Sequence, residues 1–318
     1  MLAHPRRGVP SCPRIRVEAS LRALHLPPRV RHYVSSDEDS ARWDGFAFRA
    51  GDVVVSTRSK SGTTWVQLVC ALLVHGPELP APLGELSPWL DHTVEPLADV
   101  LARLDAQPHR RVVKTHTPLD GVPQDPRATY VVAARHPLDT AVSLYHQGAN
   151  IDRERVAELT GVPQRPRGPR PPLHDWLVDW VGEETTPQER MDSLVGVLHH
   201  VTDAWERART APNVVLVHYA DLLGDLPGQV ERLARRLGVE VAPERVQHVA
   251  AATTFASMRS RSAELAPDTA GVLKDPQAFF RSGRSGEGRA LLAPAERATY
   301  DTRVGELAPP EVLTWLHR

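Results

Sequence analysis

The sequence predicts an α/β domain built on a central, mostly parallel sheet flanked by helices. Three observations carry that expectation. Short β-branched runs recur at 53–55, 111–114, 129–134 and 214–217, too short for helices and bounded by turn residues. Stretches with helical spacing separate them, which points to crossover-linked parallel strands. Each run ends in a polar cluster, at the carboxyl end of a strand, where open α/β sheets bind ligands.

The first 31 residues hold seven arginines and one acid, Glu18, with prolines at 5, 10, 13, 27 and 28. No continuous apolar segment follows the early arginines, so a secretory signal is not expected, and the Arg-rich composition lacks the amphipathic helix of a transit peptide. The expectation is a partly flexible arm over 1–44 and a domain over 45–318. Mostly polar residues 35–44 lead into Phe46, Phe48 and the turn Ala50-Gly51-Asp52.

Val53-Val54-Val55 reads as a buried parallel strand. It runs into the polar loop 56–64, and Trp65, Val66, Leu68, Val69, Leu72 and Leu73 then suit a buried helix. Strand, glycine-containing loop and helix together present backbone N–H groups to a phosphate. The second strand, 111–114, ends at Thr115-His116 and a proline-closed turn. The third, 129–134, ends at Arg135-His136-Pro137, where Pro137 and Asp139 suit the first turn of a helix. The fourth, 214–217, ends at His218-Tyr219. Leu194, Leu198, Val201 and Trp205 space a helix over 192–209, and another begins at Pro227 and stops at Gly238. Residues 162–172 carry five prolines and three arginines, the densest part of a Pro/Arg-rich insertion at 151–190 that reads as a surface segment or lid.

Composition excludes several classes. The 318 residues suit one large domain, and 38 Lys+Arg against 39 Asp+Glu argue against a coat for nucleic acid or an anionic membrane. Cys12 and Cys70 make no disulfide framework, no Cys/His spacing suggests a metal, and the usage fits a cytoplasmic protein. The longest apolar stretch, 66–74, contains Gln67 and is far shorter than the roughly 20 residues of a membrane span. High proline (29 residues) and low aromatic content (5%) predict proline-bounded loops and an aliphatic core.

The loop 56–64 is not a Walker A sequence, which places Lys directly after its second Gly. Here Gly62 is followed by Thr63-Thr64, and Lys60 precedes it by two positions. What remains is a cradle of backbone N–H groups, two hydroxyls and one cation. Taken alone that is weak, since polar glycine turns between strand and helix are common. Lys114 and His116 alternate with Thr115 at the end of the next strand, so on extended backbone their side chains share a face. A general base beside a charge stabiliser is a sensible pairing, and that company distinguishes His116 from a merely packed histidine.

Thr57-Arg58-Ser59-Lys60-Ser61-Gly62-Thr63-Thr64-Trp65 resembles the 5′-phosphosulfate loop of the cytosolic-type sulfotransferases, enzymes that use 3′-phosphoadenosine-5′-phosphosulfate (PAPS). Lys114-Thr115-His116 with Pro118-Leu119 resembles their catalytic strand and loop. The run from Ala134 and Arg135 to Ser143 resembles the 3′-phosphate motif, an Arg with a Ser eight residues later. His218-Tyr219-Ala220-Asp221-Leu222 and Thr253-Thr254-Phe255, with Met258, resemble segments around the adenine. Phe280-Arg281-Ser282-Gly283 and Gly286 resemble the C-terminal loop over the 3′-phosphate. These motifs run in order from about 45 to 297, and the chain is read as a bacterial member of the family.

The resemblance implies a single P-loop-like domain that moves a sulfuryl group from PAPS to a hydroxyl of a small molecule, without a metal. His116 would be the base, with Lys60 and Lys114 offsetting charge. Lys60, Ser61, Gly62, Thr63, Thr64, Trp65, Arg135, Ser143, Tyr219, Thr253, Phe255, Arg281, Ser282 and Gly283 would hold the nucleotide, Trp65 and Phe255 on opposite faces of the adenine. Three departures stand out. Arg58-Ser59 replace the family's Tyr-Pro, and Glu287-Gly288 replace Asp-Trp. Ser282 replaces a Lys, leaving Arg281 or Arg284 to supply the charge. The family's dimerisation motif is not legible around 289–296, so the oligomeric state stays open, as does the acceptor: a phenol, a steroid-like alcohol, a lipid or a secondary metabolite. Its pocket is expected from 80–91 and the insertion, with Trp89, Trp176 and Trp180 either an apolar wall or core or interface packing. Two other readings remain, a small-molecule P-loop kinase and a nucleotide-binding protein without turnover.

Overall fold

A computed structural model describes residues 31–162, 168–268 and 270–318. Four strands, β1 (Val53–Thr57), β2 (Val112–Thr115), β3 (Thr129–Ala134) and β4 (Val214–His218), form one parallel sheet in the order β2-β1-β3-β4. β1 is central and pairs Val55 with Lys114 on one side and Val131 on the other. The strands are buried on both faces, which is why they read as unbroken β-branched runs. The period-two alternation survives in the packing. Val53, Val55, Val131 and Val215 face α1 (Thr63–His75) and the helices Leu226–Leu237 and Pro243–Ala252. Val54, Val113, Tyr130 and Val132 face Trp43, Phe46, Phe48 and Leu104.

Two sequence expectations need adjustment. β2 begins at Val112 rather than 111, because Arg111 is held at the foot of the sheet by a buried clamp. The core is also not wholly aliphatic: the few aromatics are concentrated, with Phe46 and Phe48 edge-to-face at 4.8 Å and Trp43 stacked on Phe48 at 6.0 Å. Residues 31–44 pack against the body, with Tyr33 and Trp43 buried and the Tyr33 hydroxyl donating to Asp120 at 2.8 Å. The rest of the expected arm, 1–30, lies outside the described residues.

Connections place the site. From β1 the chain crosses to β2 on one side, and from β3 it crosses to β4 on the other. The loops after β1 and β3 therefore diverge above the sheet and leave a crevice between them. The helix Pro137–Asn150 starts there as the sequence predicts, with Pro in its first turn and the His136 ring accepting from the Leu138 N–H.

The opposite end of the sheet supplies a stability prediction. Arg111 donates through Nε and Nη2 to Asp52 at 2.9 and 2.5 Å, and both side chains are almost completely buried. Removing Asp52 leaves the buried guanidinium only the 3.3 Å contact to the exposed Asp105 carboxylate and the Ala47 carbonyl, at a cost of up to about 3–5 kcal/mol. Asp52→Ala is expected to lose about that much in urea unfolding, and a double variant with Arg111→Met to recover part of it. A loss below about 1 kcal/mol would contradict the clamp.

Candidate active site

The loop after β1 is bent by two left-handed residues, Lys60 at φ +66° and Gly62 at φ +102°. Gly62 sits at the N-terminal boundary of α1 with no side chain capping the first turn, and a Cβ there would come within 3.2 Å of the Tyr219 ring. Lys60, Gly62, Thr63 and Thr64 of this turn line a cleft, at a helix start whose first N–H groups have no intrahelical acceptor.

Residues from five segments meet in that cleft. Lys60, Gly62, Thr63, Thr64 and Trp65 come from the loop and α1. Arg135 follows β3, Ser143 lies on the next helix, and Tyr219 follows β4. Phe255, Arg281, Ser282 and Gly283 complete it. Two expected residues are not among them. Ser61 is buried with its hydroxyl 3.4 Å from that of Thr140, and Thr253 donates to the Val249 carbonyl of its own helix at 2.8 Å.

The cleft is basic and partly unsatisfied. Arg135 is buried with its guanidinium 4.5 Å from the Tyr219 ring centre and Nη2 donating to the Arg284 carbonyl at 2.5 Å. Its Nε has no hydrogen-bond partner among the described residues. Arg281 donates to Glu287 at 3.1 Å, which holds that carboxyl below its usual range. Lys60 lies 3.5 Å over the Phe279 ring, with only long contacts of 3.4 Å to Gln147 Oε1 and the Phe279 carbonyl. Burial, and then the charges of Arg135, Lys114 and Arg281, pull its ammonium down to about 7. Arg284 does not line the cleft; its side chain is exposed and only its carbonyl contributes.

The aromatic wall is fixed by close packing. Trp65 meets Tyr219 edge-on at 5.3 Å, and a Cβ on Gly283, at φ +62°, would strike the Phe255 ring at 2.4 Å. Asp139 accepts from the Gly286 and Gly288 N–H groups at 2.7 and 2.9 Å, tying the C-terminal loop down. Gly288 lies so close to the Leu138 carbonyl that a Cβ would stand 2.4 Å away, a packing counterpart to the absence of Trp there.

Lys60, Thr63, Thr64 and Phe279 also line a second, larger cleft of about 2450 Å³ that holds Lys114 and His116. His116 Nδ1 is 2.5 Å from the Thr57 carbonyl, an acceptor only, so Nδ1 carries the proton and Nε2 keeps its lone pair. Burial, then Lys114 and Arg58, hold the imidazole well below its ordinary range, so it is neutral at pH 7. Lys114 Nζ lies 3.9 Å over the Trp89 ring, and burial pulls it down to about 8 against the opposing pull of Glu38, Asp91 and Asp37.

Several residues that support this strand end were not singled out from sequence. Asp91 Oδ2 accepts from Thr117 Oγ1 at 2.6 Å, from Thr115 Oγ1 and from Trp43 Nε1 at 3.2 Å, so the threonines on either side of His116 are pinned. Arg58 donates to the His116 carbonyl and, at 2.6 Å, to Asp192. Of 80–91 only Trp89 reaches the larger cleft; Trp176 lines it, while Trp180 packs in the core and donates to the Asp192 carbonyl at 2.9 Å. Parts of the insertion, including 168–171, border the same cleft, and residues 163–167 lie outside the described chain. Among the described residues no cluster of three or more His, Cys, Asp or Glu is placed to hold a metal, and no helix is long and apolar enough to cross a membrane.

Comparison with known proteins agrees with this geometry. A family model described as "Sulfotransferase domain" matches residues 50–308. A glycolipid sulfotransferase of Mycobacterium bovis (strain BCG / Pasteur 1173P2) is 41% identical over 306 residues, covering 90% of this chain and 93% of that protein. Sulfotransferase 1A1 of Canis lupus familiaris is 26% identical over 86% of this chain and 88% of its own length. Among solved structures, retinol dehydratase in a complex with retinol and PAP superposes with a TM-score of 0.63 at 21% identity, covering 85% of this chain and 86% of that one.

Proposed function

The chain belongs to the sulfotransferase family, and on that premise we propose that it transfers the sulfuryl group of PAPS to a hydroxyl of a small-molecule acceptor. The observation that carries this reading is the junction of two unlike clefts at Lys60, Thr63 and Thr64. One is basic and aromatic, with an unpartnered Arg135 Nε that a phosphate oxygen would satisfy. The other holds a neutral imidazole with a free ring nitrogen. Arg135, Ser143 and Arg281 suit the 3′-phosphate, and Lys60 with the first turn of α1 suits the phosphosulfate. Trp65 and Phe255 suit the adenine.

In this reading the acceptor hydroxyl gives its proton to His116 Nε2 as its oxygen bonds to sulfur. The bond from sulfur to the bridging phosphate oxygen breaks, and adenosine 3′,5′-bisphosphate leaves. Lys114 and Lys60 offset charge on the sulfuryl oxygens and the leaving phosphate. No resident metal is needed for these steps. The apolar Leu144, Ile151, Val156 and Leu273 of the acceptor cleft favour a lipid-bearing alcohol over a simple phenol. The glycolipid sulfotransferase relative points the same way. We place the reaction in the cytoplasm, with no nucleic acid partner.

Incubation with sulfate-labelled PAPS, or with γ-labelled ATP and Mg²⁺, and a panel of hydroxyl compounds tests the reading. Sulfated product from PAPS supports it; phosphorylated product from ATP, or PAPS binding with no transfer to any acceptor, would overturn it.

Lys60 adds a pH signature. With its ammonium at about 7 in the free protein, it is largely neutral at pH 8 and becomes charged when a phosphate arrives. Nucleotide affinity is therefore expected to fall by up to about tenfold per unit above about pH 7, with one proton taken up on binding there. Calorimetry at pH 8 in buffers of different ionisation enthalpy measures that uptake, and Lys60→Gln is expected to abolish it. The same uptake in Lys60→Gln would assign the proton elsewhere.

A further inference from the structure

The larger cleft contains polar groups that the reaction as described does not use. Glu38 lines it, is buried, and its Oε2 has no hydrogen-bond partner among the described residues. Arg58 Nη1, 3.8 Å away, is beyond hydrogen-bond range and already serves the His116 carbonyl. The same arginine atom thus stands between the Glu38 carboxyl and the backbone of the catalytic histidine. Trp89 also lines the cleft, with His116 edge-on at 4.6 Å and Lys114 over its ring. Its indole Nε1–H is buried and also lacks a partner. His92 stacks on the ring at 4.0 Å with an interplanar angle of 3°.

A buried carboxyl oxygen and a buried indole N–H left without partners each carry a desolvation cost of about 1–3 kcal/mol. An acceptor with one hydroxyl engages His116 and Lys114 and leaves both unpaired. A sugar ring does not: the hydroxyls beside the reacting one reach outward from it in several directions, and its C–H face suits an aromatic wall. We propose that Glu38 and Trp89 form a subsite for the hydroxyls flanking the one that is sulfated, so that the acceptor presents a glycosyl head group to His116. This rests on the sulfotransferase reading above and names the residues that read the acceptor. Burial raises the Glu38 carboxyl well above its ordinary range, against the opposing pull of Arg58.

The experiment compares n-octyl β-D-glucopyranoside with 1-octanol, two acceptors that share an alkyl chain and differ in the sugar, using sulfate-labelled PAPS. The wild-type protein is expected to have the lower KM for the glucoside. Glu38→Ala and Trp89→Phe are each expected to raise KM for the glucoside about tenfold more than for octanol, while Glu38→Gln stays within about threefold of wild type. Affinity for adenosine 3′,5′-bisphosphate, measured by calorimetry, is expected to remain within about twofold in all three, which shows that the fold and donor site persist. Trp89→Phe removes the N–H together with part of the ring that His116 and Lys114 pack on, so it is read only as the difference between the two acceptors, and it carries the test if Glu38→Ala does not fold. Equal KM changes for both acceptors, or a wild-type preference for octanol, overturn the subsite and leave the sulfotransferase reading standing. Failure to bind the bisphosphate and to sulfate either acceptor overturns both.

Discussion

His116→Ala is expected to lower kcat by about 10²–10⁴, the usual contribution of a positioned general base, while adenosine 3′,5′-bisphosphate binds within about twofold of wild type. The separation follows from the geometry. His116 lines the larger cleft and not the nucleotide cleft, and the two clefts share Lys60, Thr63, Thr64 and Phe279. Its Nδ1–H is committed to the Thr57 carbonyl, so the ring holds one orientation and offers Nε2 alone. The pH profile gives an independent check. Burial and the cations Lys114 and Arg58 lower its proton affinity, so the acid limb of the rate should lie below the ordinary imidazole value of about 6.5. Loss of the base requires protonation, so activity falls as pH drops through that limb and not above it. Lys114→Met removes one of the causes and should move the limb upward. Unchanged turnover in His116→Ala would remove the histidine from the mechanism.

The parts of this site that sequence made legible are those carried by local pattern. β3 is found at 129–134, as expected, because a strand buried on both faces leaves a continuous β-branched signature. Lys60, Gly62 and Thr63 could be picked out because a glycine-containing turn between a strand and a helix carries its residues in consecutive positions. What sequence did not show are pairings between distant segments. Asp91 holds the threonines on either side of His116, yet nothing in Ser87-Pro88-Trp89-Leu90-Asp91 marks that carboxylate as different from a surface one. Glu38 stands in a polar stretch that read as the end of a flexible arm, and only the burial of Tyr33 and Trp43 around it brings it to the cleft. Thr253, whose motif resembles a segment around the adenine, donates its hydroxyl to the Val249 carbonyl, a contact that the motif did not reveal. A motif assigns a neighbourhood; which atoms face the ligand depends on packing that leaves no periodic trace.

Arg135→Ala is expected to weaken adenosine 3′,5′-bisphosphate by about 30-fold to 10³-fold, the scale for truncating one partner of a buried charge-assisted pair. AMP, which keeps the 5′-phosphate and lacks the 3′-phosphate, should change by less than about threefold. The ratio matters more than either number, because the substitution has a second effect of opposite sign. Arg135 is one of the charges that pull Lys60 down, so removing it leaves Lys60 more fully protonated and helps any ligand at the 5′ end. That gain is common to both nucleotides and cancels in the comparison. Compensation at the 3′ end is limited by three neighbours: Arg281 is engaged by Glu287, Ser282 brings no charge where a lysine is usual, and the Arg284 side chain lies outside the cleft. Glu287→Gln in the Arg135→Ala background releases Arg281 from its carboxylate and should recover part of the bisphosphate affinity without changing that for AMP. Equal losses for the two nucleotides in Arg135→Ala would move the 3′-phosphate away from this arginine, and a failure of Glu287→Gln to discriminate between them would do the same for Arg281.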